Sequence, residues 1–202
     1  LSPTNTRVVR QTTFGSAAVT PPQVGNSVLF LQRANRKVRE YVYQFESDAY
    51  TAPDLSILSE HITEGGVIDM AYQQEPDSIV WLVRSDGVLV GMTYERSQDV
   101  VGWHRHVIGG ADAKVESVAV VPNPTGSRDD LWAVIQRTVN SQSVRYIEFM
   151  TPGMPEVALN TIQATYLDSM LTYEGDPSAT LFGLSHLEGQ TVSVLSDGAA
   201  HP

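Results

Sequence analysis

Cysteine is absent from the 202 residues, which excludes thiolate zinc sites, cysteine nucleophiles and any disulfide framework. The fold must rest on an apolar core, for which this length is ample, and the lack of thiols fits manufacture in a reducing cytoplasm. Long hydrophobic runs are missing too. No stretch approaches the roughly 20 apolar residues that cross a bilayer as a helix, so no membrane span is expected. A basic start, an apolar centre and a small-residue cleavage site do not coincide near the beginning, so no secretory leader is read there. Basic side chains stop at Arg145, while Glu156, Asp168, Glu174, Asp176, Glu188 and Asp197 follow. Helical patterning is scarce throughout.

What is present is acidic. The net charge is −10, and it is uneven: residues 1–50 carry six basic and three acidic groups, and the rest carry seven and twenty. Such a balance opposes adsorption to nucleic acid, where binding depends on cations replacing condensed counterions. The change in charge falls near Thr151-Pro152-Gly153-Met154-Pro155, a run that interrupts any strand or helix. This places a boundary between a first part, 1–150, and a second, 151–202. The chain starts at Leu1 and ends at Pro202 without a closing element, which reads as a piece of a longer polypeptide with its second domain cut short.

The first part repeats. Ser27-Val28-Leu29-Phe30-Leu31-Gln32-Arg33 matches Ser78-Ile79-Val80-Trp81-Leu82-Val83-Arg84, and the apolar centre of Asp129 to Ile135 matches both, so Phe30, Trp81 and Trp132 stand 51 residues apart. Each run is short, β-branched or aromatic, and reads as a buried strand. A second strand follows each, at Val38–Phe45, Val88–Tyr94 and Val144–Phe149. Asp86-Gly87 predicts a two-residue type I′ hairpin, with Asn140-Ser141 and Asn35-Arg36 as weaker versions. With Val67–Tyr72 before the middle pair and Val100–Val107 after it, the middle unit has four consecutive strands, the size of a propeller blade. The expectation is an all-β, propeller-like array of four-stranded antiparallel meanders. Three units are visible, at about 16–62, 67–110 and 115–150, each hiding its large ring against the next. A small β domain follows, with Pro155–Met170 as a helix or two strands, favouring strands, and with strands at Thr180–Phe182 and Thr191–Leu195.

Candidate chemistry is thin. In Trp103-His104-Arg105-His106, a strand would put both histidines on one face, where they might be taken for metal ligands; two ligands do not make a site, and the structural reading, histidines on an outer strand, prevails. Gly183-Leu184-Ser185-His186-Leu187 opens like a nucleophile elbow but has leucine where the second glycine belongs. Asp69, Asp86, Asp129, Asp130 and Glu148 are the carboxylates to consider for a propeller-type glycosidase, and no spacing selects a pair from them. Asp86 is better explained by its turn. Arg33, Arg36, Lys37 and Arg39 surround the first hairpin turn and read as a solvated cluster. No phosphate cradle, calcium loop or aromatic stacking platform is present.

Several longer peptides carry a resemblance. Asn5-Thr6-Arg7-Val8-Val9-Arg10-Gln11-Thr12-Thr13-Phe14-Gly15-Ser16, Gly25-Asn26-Ser27-Val28-Leu29-Phe30 and Asp69-Met70-Ala71-Tyr72-Gln73-Gln74-Glu75-Pro76 are similar to segments of bacteriophage and prophage virion structural proteins. The similarity continues through Thr93-Tyr94-Glu95-Arg96, Trp103-His104-Arg105-His106 and Gly183 to Gly189. The family is that of the tail tubular, or tail nozzle, proteins of short-tailed phages. The resemblance implies a multi-domain tail protein with propeller-like β domains, made in the host cytoplasm and assembled in the virion as a homo-oligomeric ring that lines or caps the DNA ejection channel. Its partners would be other tail and connector proteins, with DNA only in transit. It transfers no catalytic motif, so no enzyme, no cofactor and no catalytic, cofactor-binding or metal residue is expected. The alternatives are a receptor- or glycan-binding tail module and a propeller-type glycosidase.

Overall fold

The computed structural model describes residues 9–152, 167–196 and 199–201. Among the described residues the chain is all-β, in four antiparallel sheets that do not close on themselves. The first sheet is the meander β1 (Gln23–Val24), β2 (Ser27–Leu31), β3 (Val38–Gln44) and β4 (Ala49–Thr51). The second is β5 (Val67–Gln73), β6 (Ile79–Arg84), β7 (Leu89–Glu95) and β8 (Val100–His106), again paired in chain order. The third has three strands, β9 (Lys114–Pro122), β10 (Asp129–Val139) and β11 (Gln142–Phe149). A hairpin of β12 (Val194–Ser196) and β13 (Ala199–His201) is the fourth.

Burial explains the strand compositions. β2 alternates, with Ser27, Leu29 and Leu31 buried and Val28 and Phe30 half-buried, the signature of a sheet covered on one face. β6 does not alternate: Val80, Trp81, Leu82 and Val83 are all buried, so the second sheet is covered on both. Its Val80 and Leu82 pack with Leu29, Leu31 and Val38 of the first sheet. Its Trp81 and Val83 pack with Leu131, Ala133 and Ile135 of the third. The first three sheets thus stack, with two apolar interfaces between them. Each aliphatic side chain buried there contributes about 1.5–3 kcal/mol.

The same backbone bond marks each junction. Val67 donates its N–H to the carbonyl of Asn35 (2.8 Å), and Val115 donates its N–H to that of Gly87 (2.9 Å). Asn35 (φ 60°) and Gly87 (φ 90°) both have left-handed backbones. In both hairpins the N–H of the left-handed residue returns to a carbonyl three residues back, Gln32 or Arg84. This is a tight turn followed by a left-handed residue, so Asp86-Gly87 is not the expected type I′ turn: only its glycine has positive φ. Asn140 (φ 50°) and Ser141 (φ 60°) do have that geometry, between the paired Val139 and Gln142. β9 also passes close to Gly87, since a Cβ there would lie 2.5 Å from the Lys114 Cβ.

These bonds correct the repeat. Trp81 and Trp132 are equivalent, because Val67 pairs with Arg84 and Val115 with Ile135, each followed by an extra residue in the inner strand. Between the first and second sheets the hairpin bonds align Gln32 with Arg84, which makes Leu29, not Phe30, the counterpart of Trp81. One residue of slip reverses the face. Trp81 is 3% exposed, as expected, whereas Trp132 is 37% exposed on the far side of the third sheet and Phe30 is half-buried on the far side of the first.

The second part differs more. Much of Pro155–Met170 lies outside the described residues. Thr180–Phe182 forms no strand, and Phe182 is 84% exposed. Of the second expected run only Val194 and Leu195 fall in a strand, β12. Between 167 and 196 no described residue is buried: these segments have strand-like composition but no second layer to pack against, and β-propensity expresses little else.

Candidate functional site

One grouping of chemically capable side chains lies on β8 and β6. His104 and His106, two residues apart on β8, face the same side, and His104 Nδ1 lies 3.0 Å from His106 Nε2. Both rings pack on Trp81, at 5.6 Å and 5.5 Å between centroids. Space for His104 comes from Gly91, its partner on β7. A Cβ at Gly91 would lie 2.1 Å from His104 Cε1, so no other residue fits beneath the ring.

Burial holds both imidazoles below their usual titration range. For His104 the neighbouring His106 adds to the effect, and for His106 the charge of Asp168 opposes it. The folded state therefore prefers the neutral pair. This contribution is complete above the unfolded value of 6.5 and is lost as the pH falls through that value toward the lower folded ones. The thermal midpoint should begin to drop below pH 6.5, and His104→Gln/His106→Gln should flatten that drop. Hydrogen bonds hold Asp86 and Asp130 below 3.8, and at Asp54 the opposing effect of burial is outweighed by hydrogen bonds from Ser56 and Lys37, so their contribution is lost in a lower window. An unchanged slope between the two windows in the double variant would refute the assignment.

The carboxylates do not form a pair. Asp69 accepts the N–H of Met70 and, at 3.0 Å, that of Val118, tying the second sheet to the third. Asp129 accepts the N–H groups of Gln74 and Glu75. Asp86 accepts from the Arg84 guanidinium and the Val88 N–H, which is the turn role read from the sequence. Asp130 is held by Arg128 and Asn123, and Glu148 by Arg137. Each carboxylate is spent on its own donor.

The basic cluster at the first hairpin is also partly committed. Lys37 bridges Asp54 and Glu60 at 2.9 Å each. Arg39 donates to Gln32 and to the Ala52 carbonyl while lying 3.5 Å over the Phe14 ring. Arg33 and Arg36 remain exposed.

Ser185 begins a single 3-10 turn, Ser185–Leu187, and is exposed; no strand leads into it, so the elbow is not formed. Its neighbour His186 instead lies 3.0 Å from Ser169 Oγ through Nε2, and its Nδ1 is 3.0 Å from the Gly183 carbonyl. No sequence spacing pointed to Ser169. Bonding of Nδ1–H to a carbonyl leaves Nε2 to accept from the serine. A surface depression of about 350 Å³ lies apart from these residues, on the outer face of the first sheet between Thr12, Ser16, Val28, Phe30 and Tyr41.

Among the described residues no group of three or more histidines or carboxylates is placed to hold a metal ion, and no helix is long and apolar enough to cross a membrane. No protein-family model matches the chain, and no curated protein is detectably similar to it.

Proposed function

We propose that the chain is a structural part of a phage tail, a tail tubular or nozzle-like component whose sheets serve as propeller-like blades beside the DNA ejection channel. The observation that carries this reading is the stack itself. Consecutive antiparallel meanders meet face to face, with Val67 bonded to Asn35 and Val115 to Gly87 at equivalent places. The stack ends in uncovered apolar faces: Trp132, Ile147 and Phe149 on the third sheet, and Tyr43 and Tyr50 on the first. Such faces suit further blades of the same kind, and propellers close with four to eight. The net charge of −10 suits a wall past which duplex DNA slides, since like charge prevents adhesion.

The same geometry supports the non-enzymatic reading over a propeller-type glycosidase. Asp69, Asp86, Asp129, Asp130 and Glu148 each serve a structural bond, which leaves no acid and nucleophile facing one another across a sugar. A glycan-binding tail module has one observation in its favour, the tyrosines of the first sheet. Tyr41 and Tyr50 stack on each other at 4.7 Å, however, and so occupy faces that a sugar ring would need.

The test is location. Antibodies raised against the chain should label the tail in electron micrographs of intact virions, and the full parent protein should assemble as a ring with a central hole. Virions without label, with the antigen only in host fractions, would overturn the proposal.

A further inference from the structure

We propose that His104 and His106 form a two-imidazole chelate for a divalent transition-metal ion of the class that prefers nitrogen ligands, Cu²⁺ above Ni²⁺ and Zn²⁺. The inference does not depend on the virion reading. It starts from the convergence of His104 Nδ1 and His106 Nε2 at 3.0 Å. An ion bound to two imidazoles at about 2.0–2.1 Å holds their nitrogens about 2.9 Å apart at a right angle and about 3.3 Å apart at a tetrahedral one. The observed separation lies inside that interval; the two nitrogens share a hydrogen bond, and entry of the ion requires one ring to change tautomer, which places its proton on the far nitrogen.

The rings are held where they are. Alternation along β8 gives both the same face. Gly91 supplies the gap in which the His104 ring lies, because any Cβ would come 2.1 Å from its Cε1. The Trp81 ring meets His104 edge-on, at 86°, and packs against His106 at 5.5 Å. Preorganisation of this kind removes much of the ordering cost of chelation. Both residues are only half-buried, so water can fill the remaining coordination positions. With two protein ligands and, among the described residues, no third placed to join them, the ion is exchangeable, and the order of affinity follows the intrinsic preference of imidazole for each metal. Mg²⁺, which demands oxygen ligands, is excluded.

The experiment is calorimetric titration of the whole chain with CuCl₂, ZnCl₂ and MgCl₂ in a non-coordinating buffer at neutral pH, with electron paramagnetic resonance of the copper form. The expected result is one equivalent of Cu²⁺ with two imidazole nitrogens in its spectrum, weaker Zn²⁺ binding and no Mg²⁺ binding. His104→Gln and His106→Gln should each weaken Cu²⁺ by at least about tenfold, and the double variant should abolish that site. Copper bound with unchanged affinity in the double variant would place the ion on His61, His186 or His201 and overturn the proposal. If a variant does not fold, the wild-type spectrum decides, since one coordinating imidazole or none is incompatible with the chelate.

Discussion

Trp81→Ala should destabilise the protein by about 3–5 kcal/mol, while Trp132→Ala should cost about 1 kcal/mol. The two residues are equivalent in the repeat and differ only in what covers them. Trp81 is 3% exposed, in the cluster formed with Val83, Leu89, Leu131, Ala133 and Ile135. Its Nε1 donates to Gln73 Oε1 at 2.8 Å. Truncation opens a cavity between two sheets, strands the Gln73 acceptor and removes the ring on which both histidines pack. Trp132 has water on one side and rests on Phe149 at 5.2 Å, so its loss removes one ring pair and opens no cavity. Urea unfolding followed by circular dichroism measures both changes. Equal losses would mean that the third sheet does not seal the Trp81 face, and the stack described above would be wrong.

That contrast also marks how far the sequence could be read. Strand positions were legible because each rests on local pattern: β5 through β11 begin and end within a few residues of the apolar runs. Facing was less so. A constant 51-residue spacing of aromatics suggested three equivalent rings, yet the first hairpin is aligned to the second one residue off, and a strand reverses its faces with every residue. Nothing in Ser27–Leu31 alone reveals that offset, which resides in the turn bonds of Asn35 and Gly87. Trp132 matched its counterpart, but among the described residues no sheet covers it and it stays partly exposed. The His104–His106 pair was visible as a spacing. Its convergence was not, because it requires Gly91 on the adjacent strand and Trp81 on the next. The Ser169–His186 contact joins two irregular segments, for which no period exists.

Glu148→Gln should cost about 3 kcal/mol, more than Arg137→Met, although the two changes break the same pair. The Arg137 side chain is wholly buried, and the Glu148 side chain is 31% exposed. Both guanidinium NH groups bond Glu148, one at 3.0 Å, while Nε donates to the Gly109 carbonyl at 2.8 Å. Gly110 adjoins the site with φ +115°, and a Cβ there would lie 2.6 Å from Arg137 Cδ, so the enclosed side chain fits because that position is glycine. Neutralising Glu148 leaves a permanently charged group enclosed without its counter-charge, because arginine does not lose its proton. Removing Arg137 instead leaves a carboxylate that water already reaches, and methionine fills most of the vacated stem with apolar atoms. The double substitution should therefore be less destabilising than Glu148→Gln alone. Denaturant midpoints of the three variants test the ordering. If Arg137→Met proved the more damaging, the burial of the guanidinium, and with it the role of Glu148 as a structural counter-ion and not a reactive carboxylate, would have to be abandoned.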